Sequence, residues 1–138
     1  MSTLDRESLD RLRAEWRGLQ EEHRRMRTRF ATVSAAQNRA EALVAVNDLH
    51  HSVSEHFSRE ERSGGVFAII GPKTEEAASL LREHGHLRRK VIEARAMMES
   101  YEETTIEALQ AACDALCDAM REHEDREAAL IESYLSED

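Results

Sequence analysis

Four of the chain's seven histidines fall on stripes that otherwise carry apolar side chains, and two of the four are followed four residues later by glutamate. The first stripe runs Leu9, Leu12, Trp16, Leu19, His23, Met26, Phe30, and the second Val46, Leu49, Val53, His56, Glu60. The third is Ala77, Leu80, His84, Leu87, Val91, Ala94, Met98, and the fourth Ile106, Leu109, Cys113, Leu116, Met120, His123, Glu127, Leu130, Tyr134. All keep the three-four spacing of a helix face turned toward a bundle interior. An imidazole or a carboxylate on such a face costs several kcal/mol unless something pairs with it. Six of them directed at one core, His23, His56, Glu60, His84, His123 and Glu127, imply a metal.

Residues i and i+4 stand one above the other on a helix, so each His-x-x-x-Glu pair offers a nitrogen and a carboxylate to one small volume. A carboxylate can bridge two cations while each imidazole supplies a terminal nitrogen. Four histidines and two glutamates would give each of two ions two nitrogens and a share in two bridging carboxylates. An oxo or hydroxo bridge could complete the set and leave one position open. Mixed imidazole–carboxylate ligation suits iron or manganese better than the thiolate-rich sets of structural zinc. An open position on reduced iron would bind dioxygen. Without a metal, the carboxylates would be stranded in a dry core.

The six groups meet only if four helices carry them to one depth, and the chain can be counted to test this. The spacing predicts helices over 4–36, 39–62, 74–99 and 102–135, an all-α, up-down-up-down four-helix bundle forming a single domain over 1–138. In such a bundle, residues at one depth on consecutive helices lie equally far from the connecting turn. His56 and His84 are centred on residue 70, beside Gly71-Pro72; His84 and His123 are centred on Glu103–Thr104, where Ser100 and Glu103 form a capping box. His23 and His56 are centred on Arg39–Ala40, beside a similar box of Asn38 and Glu41. Residues 63–73, apolar between glycines, are expected to fold back and plug one end of the bundle, with Thr74 capping the third helix. Each half of the chain supplies one lone histidine and one His-x-x-x-Glu pair, a pseudo-twofold arrangement suited to two ions.

Composition narrows the function classes. One proline, five glycines and 34% charged residues favour helices, and a net charge of −9 argues against a nucleic-acid surface. Arg24, Arg25, Arg27 and Arg29 read as the solvated face of the first helix. No apolar run approaches the roughly 20 residues of a membrane span, and the start lacks a signal peptide's apolar stretch, so a cytoplasmic protein is expected. Cys113 and Cys117 lie one turn apart, an unsuitable geometry for a disulfide, and Cys113 is about 15 Å along its helix from His123, too far to be a ligand. His50, His51 and His86 fall off the stripes. Glu61 and Glu124 neighbour the proposed ligands but point elsewhere on a helix, and one of them could orient an imidazole. Arg88, one turn from His84, either hydrogen-bonds a ligating carboxylate or faces solvent.

The ordered set Glu22-His23, His56-Phe57-x-x-Glu60-Glu61, Glu83-His84 and His123-x-x-x-Glu127 resembles the hemerythrin family, in particular hemerythrin-like HHE cation-binding domains, over essentially the whole chain. The resemblance implies that His23, His56, Glu60, His84, His123 and Glu127 ligate two iron ions, with manganese or zinc as substitutes. Two positions depart from oxygen-carrying hemerythrins. Arg88 stands where those have a second third-helix histidine, and Ala128 where they have aspartate, with Glu127 taking over one residue earlier. The resulting set is similar to the iron-sensing domain of a ubiquitin-ligase subunit. Expected is a protein that binds iron and dioxygen or a similar diatomic, as a sensor or storage module, rather than one turning over an organic substrate. A di-iron enzyme handling peroxide or nitric oxide, and a metal-stabilised structural bundle, are the alternatives.

Overall fold

The computed structural model describes residues 4–71, 74–99 and 105–136. Four long helices, α1 (Arg6–Ser34), α2 (Arg39–Glu61), α4 (Glu75–Glu99) and α5 (Ile106–Leu135), enclose the core, and a five-residue helix α3 (Val66–Ile70) joins the middle pair. Helix α1 packs on α2 and α5, and α4 packs on the same two, as consecutive helices of an up-down-up-down bundle must. No helix is long and apolar enough to cross a membrane among the described residues.

Polar caps set the helix ends. Asp5 accepts from the Ser8 amide at 2.7 Å, Thr74 from Ala77 at 3.2 Å and Thr105 from Ala108 at 3.0 Å. Asn38 caps α2 by accepting from Glu41 N–H, and the Glu41 carboxylate returns to the Gln37 amide rather than to Asn38 itself. The box read at Ser100 and Glu103 lies outside the described residues, and α5 is capped at Thr105 instead of opening at 102. At this end of the bundle the Gln110 amide donates to the carbonyls of Val33, Ser34 and Ala36, giving partners to the last oxygens of α1.

The apolar interior is split into two clusters. One, around Phe30, Leu49, Phe57, Val91 and Leu116, fills the end where α1 meets α2. The other joins Leu12, Trp16, Leu19, Leu80 and Ile131 to Val66, Phe67 and Ile70, so α3 plugs the opposite end as its sequence indicates. Between the clusters lies a layer of buried histidine and glutamate. The end of α5 differs from the expected stripe. Ile131 is buried while Leu130 and Tyr134 are only partly so, because four residues, not three, bring the chain back to the face of Glu127.

Gly65 allows α3 to close onto the turn that carries Glu60. A Cβ there would lie 2.7 Å from the Glu60 carbonyl oxygen and closer still to that of Arg59, both fixed backbone. Gly65→Ala is therefore expected to destabilise the fold by roughly 1–3 kcal/mol, as overpacking does, read as a lower melting temperature.

Candidate metal centre

Each long helix delivers its share of the polar layer from one face. Helix α1 brings His23, α2 His56 and Glu60, α4 His84, and α5 His123 and Glu127. All six are buried, none more than 5% exposed. The ligand atoms fall into two groups: His23, His56, Glu60 and Glu127 in one, Glu60, His84, His123 and Glu127 in the other. Within each group the atoms lie within 4.8 Å of one another, and both glutamates belong to both groups.

The inward-facing atoms have no adequate partners. Both oxygens of Glu60 and of Glu127, and Nε2 of His84 and His123, are buried without a hydrogen bond. Nε2 of His23 faces Nε2 of His56 at 3.1 Å. Donors bound at 2.0–2.1 Å to one cation stand roughly 3 Å apart when at right angles, so this spacing suits a shared ion. An orphaned carboxylate or imidazole costs about 1–3 kcal/mol or more, and a cation would satisfy all of them together.

The opposite nitrogens are held from outside. The Nδ1 proton of His56 is donated to Glu22 at 2.8 Å, that of His84 to Glu61 at 2.6 Å, and that of His123 to Glu83 at 2.7 Å. This fixes each tautomer and turns the Nε2 lone pair inward. Each of these carboxylates is gripped in turn by arginine: Glu22 by Arg59, Glu61 by both ends of the Arg88 guanidinium, and Glu83 by Arg126. Around His23 the corresponding pair is Glu124 and Arg27, but there the distances are 3.7 Å and 3.8 Å. Three carboxylates thus reach the histidine of the next helix, and α5 sets Glu124 beside His23 without closing the fourth contact.

Residues 15–135 match the Hemerythrin HHE cation binding domain. The chain belongs to the hemerythrin family. Comparison with curated proteins and with solved structures found no match.

The six buried groups do not share one protonation preference: burial disfavours charge on His123, but Glu127 and Glu83 outweigh it and raise that imidazole. Burial, with the neighbouring His56, lowers His23 to about 4, and burial lowers His84 to about 4 against the pull of Glu61, so both lone pairs are free at neutral pH. Burial and the charge of Glu127 push Glu60 well above the ordinary carboxylate range. Burial opposes ionisation of Glu127 too, but the adjacent Glu60 carboxyl and the His123 and His56 imidazoles outweigh it and keep Glu127 charged. Partial burial also acts against Glu22, Glu61 and Glu83, and their histidine and arginine partners still hold each below its usual value.

Further residues support the site from outside the apolar stripes. Glu22 and Glu83 directly precede histidines, and that adjacency marks them: a residue one step from the inward face reaches the neighbouring helix. Arg88 contacts neither proposed outcome as stated, since it grips Glu61, the carboxylate that orients His84, while 31% exposed. Glu61 orients His84, the role expected of Glu61 or Glu124, and Glu124 is 7% exposed beside His23 rather than pointing away. Phe57 stacks on His84 at 4.1 Å between ring centres and 14° between planes. His51 and His86 are exposed and His50 is half-buried, as their positions off the stripes indicate.

Proposed function

We propose that this member of the hemerythrin family is a non-heme di-iron protein that binds iron and dioxygen, as an oxygen or iron sensor or a storage module. His23 and His56 would hold one ion, His84 and His123 the other, with Glu60 and Glu127 shared. The observation that carries the reading is the pair of four-residue groups with common carboxylates, whose inward atoms lack other partners. The all-nitrogen and oxygen donor set favours iron or manganese over thiolate-bound zinc. Iron there would supply redox chemistry and an open position for a diatomic ligand.

The test is an absorption spectrum with metal analysis on aerobically purified protein, repeated after dithionite and again after air. Iron with near-ultraviolet absorption that bleaches and returns supports the reading. Colourless protein holding zinc or no metal contradicts it. The outer carboxylates give a second check. Glu61→Ala removes the partner of His84 Nδ1 and should weaken metal affinity by roughly 10–100-fold, measured by competition with a chelator.

A further inference from the structure

The two halves of the site are built from the same repeat, but they differ where the repeat meets solvent. His56 is followed by Phe57 and Glu60 by Glu61, whereas His123 is followed by Glu124 and Glu127 by Ala128. Phe57 lies flat against His84, and Phe67 from α3 meets the same imidazole edge-on at 5.6 Å. Glu61 then holds His84 from outside, itself gripped by Arg88. His84 is wholly buried and His123 is 1% exposed and clamped by Glu83. That side is sealed.

The other side is open. A cleft of about 390 Å³ between α1 and α5 has His23 and Glu124 on its floor, with Trp16, Gln20, Arg27 and Ala128 among its walls. Where the related half has Glu61, Ala128 leaves space. Glu124 Oε2 is buried and without a hydrogen bond. It stands 3.7 Å from His23 Nδ1, a full ångström beyond the 2.6–2.8 Å of the three closed arms. Its arginine, Arg27, is 51% exposed at 3.8 Å, a contact too loose and solvated to fix it. His23 is therefore the ligand with the weakest outside hold, and a carboxylate oxygen without a hydrogen bond lies between it and the cleft.

We propose that the two ions are unequal: the one between His84 and His123 is resident, and the one between His23 and His56 exchanges with solvent through the α1–α5 cleft, Glu124 passing the divalent cation in and out. This rests on the dinuclear reading above. A carboxylate oxygen that is buried, without a hydrogen bond and next to the least clamped ligand is a transit donor for a hard cation. Outer partners of a ligating histidine are worth roughly 10–100-fold in metal affinity, so unequal clamping predicts unequal release of at least about tenfold.

The experiment loads full-length protein anaerobically with ferrous iron, mixes it with excess ferrous chelator, and follows release by absorbance. Two phases of one ion each, about tenfold or more apart, are expected. His23→Ala should retain one ion that leaves at the slow rate, and His84→Ala should retain no slowly released ion. The reverse assignment overturns the proposal, as does release of both wild-type ions in a single phase. Ala128→Leu, which narrows the cleft without touching a ligand, should slow the fast phase several-fold and spare the slow one; an unchanged fast phase contradicts the route. Glu124→Ala should slow the fast phase as well. Acceleration would instead make Glu124 an orienting partner like Glu61 and overturn its transit role. Failure of wild-type protein to bind iron at all would sink the dinuclear reading itself, a result distinct from every one of these.

Discussion

Glu60→Gln is expected to deprive the protein of its metal while leaving the metal-free fold at least as stable. The side chain is fully buried with both oxygens unpartnered, and it shares its space with Glu127. Glutamine keeps the shape and is neutral without needing the proton that Glu60 must hold, and its amide can donate to His84 Nε2, which lies 3.1 Å from Glu60 Oε1. As a bridge to both ions, however, the carboxylate has no neutral substitute. Its loss should weaken binding by more than the roughly 10–100-fold expected of an outer partner.

The pH dependence gives this prediction its sign. Glu60 in the metal-free fold holds its proton well above 4.5, whereas in the unfolded chain it releases it near that value. Its contribution is intact below pH 4.5 and is lost as pH rises through the folded-state value. His23 and His84 run the other way: with 6.5 unfolded and about 4 folded, their contribution is complete above pH 6.5 and is lost as pH falls toward 4. Metal-free Glu60→Gln should thus gain on wild type in thermal melts as pH rises above 4.5 through the folded-state value of Glu60, with the histidine-driven loss at acid pH unchanged. A variant that keeps two ions, or that melts far below wild type without metal, would contradict this.

Chelation should lower the melting temperature by roughly 15 °C or more, taking about 4 kcal/mol for each ion at a free concentration a thousandfold above its dissociation constant. The effect is large because the apo layer is costly in itself. Glu60, Glu127 and the imidazoles of His84 and His123 are buried with inward atoms unsatisfied, and one carboxyl must hold a proton to be there. Calorimetry with and without a chelator, followed by re-addition of ferrous iron, is the measurement. Equal melting curves would remove the structural reason for grouping these six residues.

Much of this was legible in the sequence because helical period and ligand spacing share one rule. His56 and Glu60, or His123 and Glu127, are one turn apart on a buried stripe, so finding the stripe finds the pair. The plug at Val66–Ile70 was legible from its apolar run between glycines. The arrangement of Glu22, Glu61, Glu83 and Glu124 was not, because each residue flanks the stripe and which neighbouring helix it meets depends on the bundle's packing. Spacing along one helix carries no such information. The same holds for Arg88, whose partner Glu61 is 27 residues away, and for Phe57, whose ring finds His84 across the interface with α4. The last turn of α5 was misread at Leu130 because three-residue and four-residue steps alternate, and only packing decides which comes next.

The most direct test of the central claim is X-ray absorption at the iron edge on iron-loaded protein of measured metal content. The account predicts two irons per chain, nitrogen and oxygen neighbours only, and an iron–iron distance of roughly 3–4 Å, as bridged two-metal sites show. One iron or none per chain, sulfur in the coordination sphere, or iron without an iron neighbour would contradict it.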